Sequence, residues 1–162
     1  MRSWRKRKAV VTKRSNDSMD GITASVRLSV PFFDLDSAGV VWHGRYFKYF
    51  ELARAQLLDE IGYSYGEMAT SGFVWLVTDT DVRYVRPLVL NQEIVVTAGL
   101  REWEMRLVVD YRIEDLAGNV CTRATTTQVP VDAETRSLAF GSPGVFIERV
   151  EAKLRERGLS AP

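Results

Sequence analysis

Residues 34–54 read D-L-D-S-A-G-V-V-W-H-G-R-Y-F-K-Y-F-E-L-A-R, and they hold the chain's single histidine, His43, with the carboxylate of Asp36 seven positions before it. From 43 to 61 there is no proline and no glycine after Gly44, and most residues are good helix formers. The spacing predicts a helix over 43–61, roughly 28 Å long. At about 100° per residue, Tyr46, Phe47, Tyr49, Phe50, Ala53, Leu57, Leu58 and Ile61 share about half of its circumference. An arc that wide has to be covered on several sides. Glu51 and Arg54 are three apart and are expected to pair, which lowers the cost of burying a charge there. Gly62 follows as a left-handed cap.

The cover is legible on both sides. Before the helix, Ile22, Ala24, Val26, Leu28, Val30 and Phe32 alternate with polar residues, the period of a half-buried strand. After it, four more strands are expected: 73–85, a second around Ile94 to Leu100, a third with Met105, Leu107, Val109, Tyr111 and Ile113 on one face, and 120–131 after a turn at 115–119. One strand, one long helix and four antiparallel strands make an α+β chain. Such a sheet, of five or more strands, curled around one central helix buries the wide apolar arc.

The length suits one domain with an adequate core. The first 18 residues differ in composition: seven basic residues against Asp17 give +6 of a net +1, which leaves the remaining 144 near −5. A basic arm of this kind can touch nucleic acid or an anionic membrane surface. The plainer reading is a disordered tail or an extended start, because Met19 immediately precedes the first strand, so residues 19–162 are read as the domain and no nucleic-acid partner is assigned. The lone Cys121 has no internal disulfide partner and is expected to be a buried thiol in a reducing, cytoplasmic compartment. No apolar run approaches the roughly 20 residues of a membrane span, and the N-terminal segment lacks the uninterrupted apolar core of a signal peptide.

A carboxylate on a loop ahead of a helix start stands beside unpaired backbone N–H groups, which favour oxyanions. In acyl transfer such donors polarise a carbonyl and stabilise the tetrahedral intermediate, while Asp36 would serve as nucleophile or as general base for water. Asp34 and Asp36 are equally at home as turn formers or caps. Spacing alone leaves both readings open. Residues 62–66 read G-Y-S-Y-G, the pattern of a serine-hydrolase elbow, but Ser64 follows a helix and the histidine precedes it, the reverse of what the elbow needs. One Cys and one His leave little for a zinc site, and Tyr63, Tyr65 and Met68 read as packing.

The matching residues Asp34, Asp36, Gly39, Val40, Val41, His43, Tyr46, Tyr49, Phe50, Glu51, Ala53 and Arg54 resemble the signature of hotdog-fold acyl-CoA thioesterases of the 4-hydroxybenzoyl-CoA thioesterase family, in particular its Tol-Pal-associated branch. Tyr84, Pro87 and the run G-N-V-C-T-R-A-T-T-T-Q-V-P-V extend the resemblance over roughly 24–150. It implies a hotdog fold, hydrolysis of acyl-CoA or aryl-CoA thioesters, and no cofactor beyond the coenzyme A of the substrate. It implies that Asp36 is the catalytic carboxylate, that the backbone N–H of His43 holds the thioester carbonyl with its imidazole taking part, and that Gly39, Val41, Trp42 and Tyr46 line the substrate site. Trp42 stands where the branch has Tyr, and Arg45 where a small polar residue is common.

The resemblance also implies two subunits that join their sheets and place the active sites at the shared interface, so a homodimer, or a homotetramer built by doubling it, is expected. The strand at 73–85, rich in Phe, Val, Trp and Leu, is too apolar for a solvent edge and fits that arrangement. Asp36 of one subunit would then face the segment after Gly62 of the other. Arg83, Arg86 and Arg123 are the basic residues expected near the CoA phosphates. The alternative is a hotdog protein that binds acyl groups without hydrolysing them, or a dehydratase, for which His43 and Glu51 are the one candidate pair, about 12 Å apart along a helix.

Overall fold

The computed structural model describes residues 19–159; the basic segment 1–18 lies outside the described residues. The chain runs β1 (Thr23–Ser29), α1 (Tyr46–Ile61), α2 (Tyr65–Thr70), β2 (Phe73–Tyr84), β3 (Glu93–Glu102), β4 (Leu107–Asp115), β5 (Val120–Asp132) and α3 (Gly144–Glu156), with 3-10 turns at Phe32–Asp34 and His43–Arg45. The five strands form one antiparallel sheet in the order β1-β3-β4-β5-β2. This is the α+β arrangement expected, with α1 laid on β1 and β3.

One cross-strand row shows how sheet and helix fit. Ala24, Ala98, Tyr111, Ala124 and Val82 stand side by side across all five strands. Small residues flank Tyr111, and Phe50 of α1 stacks on its ring at 4.9 Å. Alanine on either side makes room for two stacked aromatics, and Ala53 one turn along is fully buried. Tyr46, Tyr49, Phe50, Leu57, Leu58 and Ile61 complete the buried arc of the helix. Phe47, expected in that arc, is instead 41% exposed.

Local signals account for the ends of the elements. Gly62 takes φ +76°, and its N–H reaches the Asp59 carbonyl at 2.9 Å, as a left-handed cap does. Ser64 caps α2 by accepting the Glu67 N–H, so the serine of the G-x-S-x-G pattern has a structural duty. Asp115 accepts three hydrogen bonds, from Ala117 N–H, Asn119 N–H and the Asn119 amide, and closes the β4–β5 turn. The Asn119 side chain, followed by the backbone donors, holds its carboxyl below the usual range.

Several boundaries differ from the sequence reading. The first strand ends at Ser29, and Phe32 enters a 3-10 turn with 77% of its surface exposed. The helix expected from 43 begins at Tyr46, because residues 43–45 wind more tightly. β4 starts at Leu107, leaving Met105 exposed. Cys121 is buried as expected, and burial pushes its thiol up. Trp75 lies 5.2 Å from Phe146 of α3, and Tyr63 lies 5.0 Å from the same ring. The terminal helix was not anticipated, although Phe146, Val150 and Leu154 repeat every four residues and all are buried. Among the described residues no helix is long and apolar enough to cross a membrane.

If α3 is part of the core, Phe146→Ala will destabilise the domain by about 3–5 kcal/mol. Urea denaturation measures this; a loss within the error of the midpoint would show that α3 merely rests on the surface.

Candidate active site

The two aspartates of the opening stretch, two residues apart, have opposite environments. Asp34 is buried, and its Oδ2 accepts the Tyr49 hydroxyl at 2.8 Å. Arg45 Nε lies 3.5 Å from Oδ1 and Lys48 Nζ 3.7 Å from Oδ2. Its carbonyl accepts the Trp42 N–H at 2.9 Å. Burial, and then the hydrogen bond to Asp34, push the Tyr49 phenol well above its ordinary value. Asp34 thereby ties the loop to the first turns of α1.

Asp36 is exposed at the tip of the loop. Its Oδ1 accepts the Ala38 N–H at 2.8 Å, its own N–H donates to the Val40 carbonyl at 2.8 Å, and Gly39 completes the turn with φ +76°. Leu35 bridges to Val41 and Val40 to Val89, so both arms of the loop are pinned. One carboxylate oxygen is fixed by the turn, and the other, Oδ2, takes no hydrogen bond from the described residues.

A cleft of about 330 Å³ opens beside this loop, lined by Asp36, Val40, Val41, His43, Tyr46, Tyr84, Val85, Arg86 and Pro87. His43 begins the tight turn, with Trp42 at its N-cap position and no side-chain hydrogen bond capping it. The N–H groups of His43 and Gly44 are the orphans of that turn; the first acceptor bond within it runs from Arg45 N–H to the Trp42 carbonyl at 2.8 Å. Tyr84, at the end of β2, donates its hydroxyl to the His43 carbonyl at 2.8 Å. Its ring meets Tyr46 edge-on at 4.8 Å. The strand end thus holds the peptide between His43 and Gly44 in place.

Trp42 does not line the cleft. Its ring folds over Gly44, where an added Cβ would come within 2.4 Å of the indole, and lies 5.0 Å from the His43 ring. A side chain at position 44 would have to displace the exposed Trp42 ring. Of the other expected site residues, Val41, Tyr46 and Arg86 line the cleft with Asp36 and His43, while Gly39 shapes the turn behind it. Arg83 and Arg123 do not line it: they stand opposite each other in β2 and β5, in a row continued by Arg112, on the sheet face away from α1. Odd positions of β2 beyond its bulge point outward, whereas Arg86 follows the strand's end. Tyr84 and Pro87, quoted above only as family resemblance, are wall residues.

Glu51 does not reach this cleft. Arg54 and Tyr65 both hydrogen-bond to it. The expected Glu51–Arg54 pair is therefore present, with a tyrosine from α2 added. Burial and then the bond to Glu51 push the Tyr65 phenol up to about 12. Among the described residues no cluster of His, Cys, Asp and Glu is arranged to hold a metal ion.

Residues 30–156 match the thioesterase-like superfamily. The chain belongs to that superfamily. It is 28% identical over 109 residues to the candidate acyl-CoA thioesterase YneP of Bacillus subtilis, a match covering 67% of this chain and 79% of that one. In fold it is similar to a DHNA-CoA thioesterase from Staphylococcus aureus, with a TM-score of 0.74 at 22% identity, covering 86% of this chain and 97% of that one. A second Staphylococcus aureus protein, solved in complex with CoA, has a TM-score of 0.74 at 14% identity and covers 90% of this chain and 91% of its own. These neighbours share the hotdog fold, a five-stranded antiparallel sheet with a long central helix.

The burial of Asp34 gives a direct expectation. Asp34→Asn removes a charge-assisted bond and the partner of two cations, and will cost on the order of 2 kcal/mol of stability, read by thermal melting. Turnover per folded molecule will fall far less than for a change at Asp36. An Asp34→Asn protein that melts normally and is inactive would instead make Asp34 a catalytic group.

Proposed function

We propose that this superfamily member hydrolyses acyl-CoA or aryl-CoA thioesters to the free acid and CoA. The observation that carries the reading is that a half-satisfied carboxylate, Asp36, and the uncapped helical turn starting at His43 line one cleft. The thioester carbonyl oxygen would lie at the His43 N–H, where the dipoles of the turn and of α1 favour developing negative charge. Tyr84, bound to the His43 carbonyl, keeps that turn from shifting as charge develops.

Asp36 then acts on the carbonyl carbon. As a general base it takes a proton from water as the water oxygen bonds to carbon; the C–S bond breaks and the thiolate of CoA leaves and is protonated. As a nucleophile its oxygen bonds to carbon and displaces the thiolate, and water then cleaves the anhydride. Both routes require one free carboxylate oxygen facing the carbonyl. Arg86 is the cation of the cleft wall and the residue we assign to the CoA phosphates, ahead of Arg83 and Arg123.

The similarity of the fold to a protein solved with CoA and to a DHNA-CoA thioesterase supports a CoA ester as substrate. The D-L-D-x-x-G-V-V-W-H pattern supports the Tol-Pal-associated branch within the superfamily. We further read residues 19–162 as one cytoplasmic domain that works as a homodimer, or a homotetramer built from it, joined through β2. The dehydratase reading is less well supported, because Glu51 is occupied by Arg54 and Tyr65 and does not line the cleft with His43.

Asp36→Asn keeps the size of the side chain and removes the base, and will lower turnover by about 100- to 10,000-fold with folding intact. His43→Ala leaves the backbone N–H in place and will retain appreciable activity. Release of free thiol from a panel of acyl- and aryl-CoAs measures both. If every CoA ester is left intact by wild-type enzyme at high concentration, the hydrolytic reading is lost and acyl binding remains; equal losses at 36 and 43 would make the imidazole a direct partner.

A further inference from the structure

Tyr84 is the last residue of β2, and its hydroxyl crosses from the sheet to the start of the helix, 41 positions back in the chain. Strand parity sends it there. Val82 stands opposite Ala124 in the cross-strand row on which Phe50 packs, and Tyr84, two residues on, turns the same way, opposite Thr122. The strand end is fixed immediately afterwards, because the N–H groups of Val85 and Arg86 both donate to the Cys121 carbonyl, at 2.8 and 3.0 Å. The ring rests edge-on against Tyr46, which is itself buried. The phenol is therefore aimed at the His43 carbonyl by a strand and a packed ring, both rigid supports.

That bond lands on the peptide between His43 and Gly44. In a trans peptide the carbonyl and the N–H point in opposite directions, so the phenol occupies one end of this unit and leaves the Gly44 N–H free at the other. Resonance couples the two ends. A donor on the oxygen withdraws electrons from the nitrogen and strengthens the N–H as a donor, by about 10–30% per bond. The Gly44 N–H is, with that of His43, an orphan of the turn, and the Trp42 indole lies over the glycine. A half-exposed hydroxyl exchanges a water for such a bond and gains little net stability from it. Its effect falls on the peptide that it polarises.

We propose that Tyr84 is a positioning residue for the hydrolysis: through the His43 carbonyl it polarises the Gly44 N–H, which joins the His43 N–H in holding the thioester carbonyl oxygen. The inference rests on the hydrolytic reading above and adds a second donor to it. Two donors stabilise the developing oxyanion more than one does, and they fix the direction of the C=O bond. As negative charge grows on that oxygen, the bond from Gly44 and the bond from Tyr84 form one chain in which each strengthens the other. The phenol has to stay protonated for this, since a phenolate has no hydrogen to donate. Burial pushes the Tyr84 phenol up, which keeps the donor in place through neutral and mildly alkaline pH.

Tyr84→Phe retains the ring and its contact with Tyr46 and removes only the hydroxyl. In steady-state CoA-ester hydrolysis kcat is expected to fall about tenfold with KM changed less than about twofold, short of the roughly 100- to 1000-fold that deleting a whole donor costs. Replacing Tyr84 by mono- and difluorotyrosine, at a pH where each phenol is still protonated, grades the donor. The expected kcat climbs with phenol acidity, a trend that a purely structural tie does not produce. In parallel, amide NMR of the full chain follows His43 and Gly44 on addition of the ketone analogues of butyryl-CoA and benzoyl-CoA, in which a methylene replaces the sulfur. Both amide protons are expected to move downfield in the wild type, and Gly44 less so in Tyr84→Phe. An unchanged kcat in Tyr84→Phe, a flat fluorotyrosine series, or a Gly44 amide that both ketones leave in place overturns the proposal. If the wild type cleaves no CoA ester while the ketones shift Gly44 in a way that depends on Tyr84, the donor pair is supported and the hydrolytic reading is lost instead.

Discussion

The carboxylate of Asp34 is the constraint on which the site depends. It is buried among Tyr49, Arg45 and Lys48, and its peptide carbonyl takes the Trp42 N–H, so one residue joins the loop, the tight turn and the helix. A buried carboxylate is tolerated only with such partners. Oδ1 faces Arg45 at 3.5 Å without a hydrogen bond, so the Tyr49 hydroxyl on Oδ2 and the Trp42 N–H on the carbonyl are the bonds that tie α1 to the loop carrying Asp36.

The second wall of the cleft comes from the far end of the sheet. Tyr84 holds the His43 carbonyl and packs against Tyr46, while Val85, Arg86 and Pro87 continue the wall past the strand. β2 is also an edge strand, so part of the cleft is shaped by the margin of the sheet.

Positioning here relies on backbone more than on a constellation of side chains. A loop turn closed by Asp36 and Gly39, and a 3-10 turn with uncapped N–H groups, set the geometry. Preorganised amides need no reorientation as charge develops on a bound oxygen.

Much of this was legible in the residues themselves. The helix at 46–61, its Gly62 cap, the alternation of the strands, the Glu51–Arg54 pair and the loop carboxylate beside a helix start all follow from spacing within a few residues, where periodicity and capping chemistry act. Other features were decided only by the fold. Nothing local distinguishes Asp34 from Asp36; one is buried because the loop folds back onto Tyr49, fifteen positions away. Arg83 and Arg86 look equivalent in sequence, yet strand parity turns the first to the outer face and the end of β2 leaves the second in the cleft. The docking of α3 against Trp75 and Tyr63, and the position of β2 at the sheet's edge rather than its centre, likewise depend on which distant segments meet. Sequence spacing determines periodicity and local hydrogen bonds, whereas burial and proximity arise only when segments far apart in the chain are packed together.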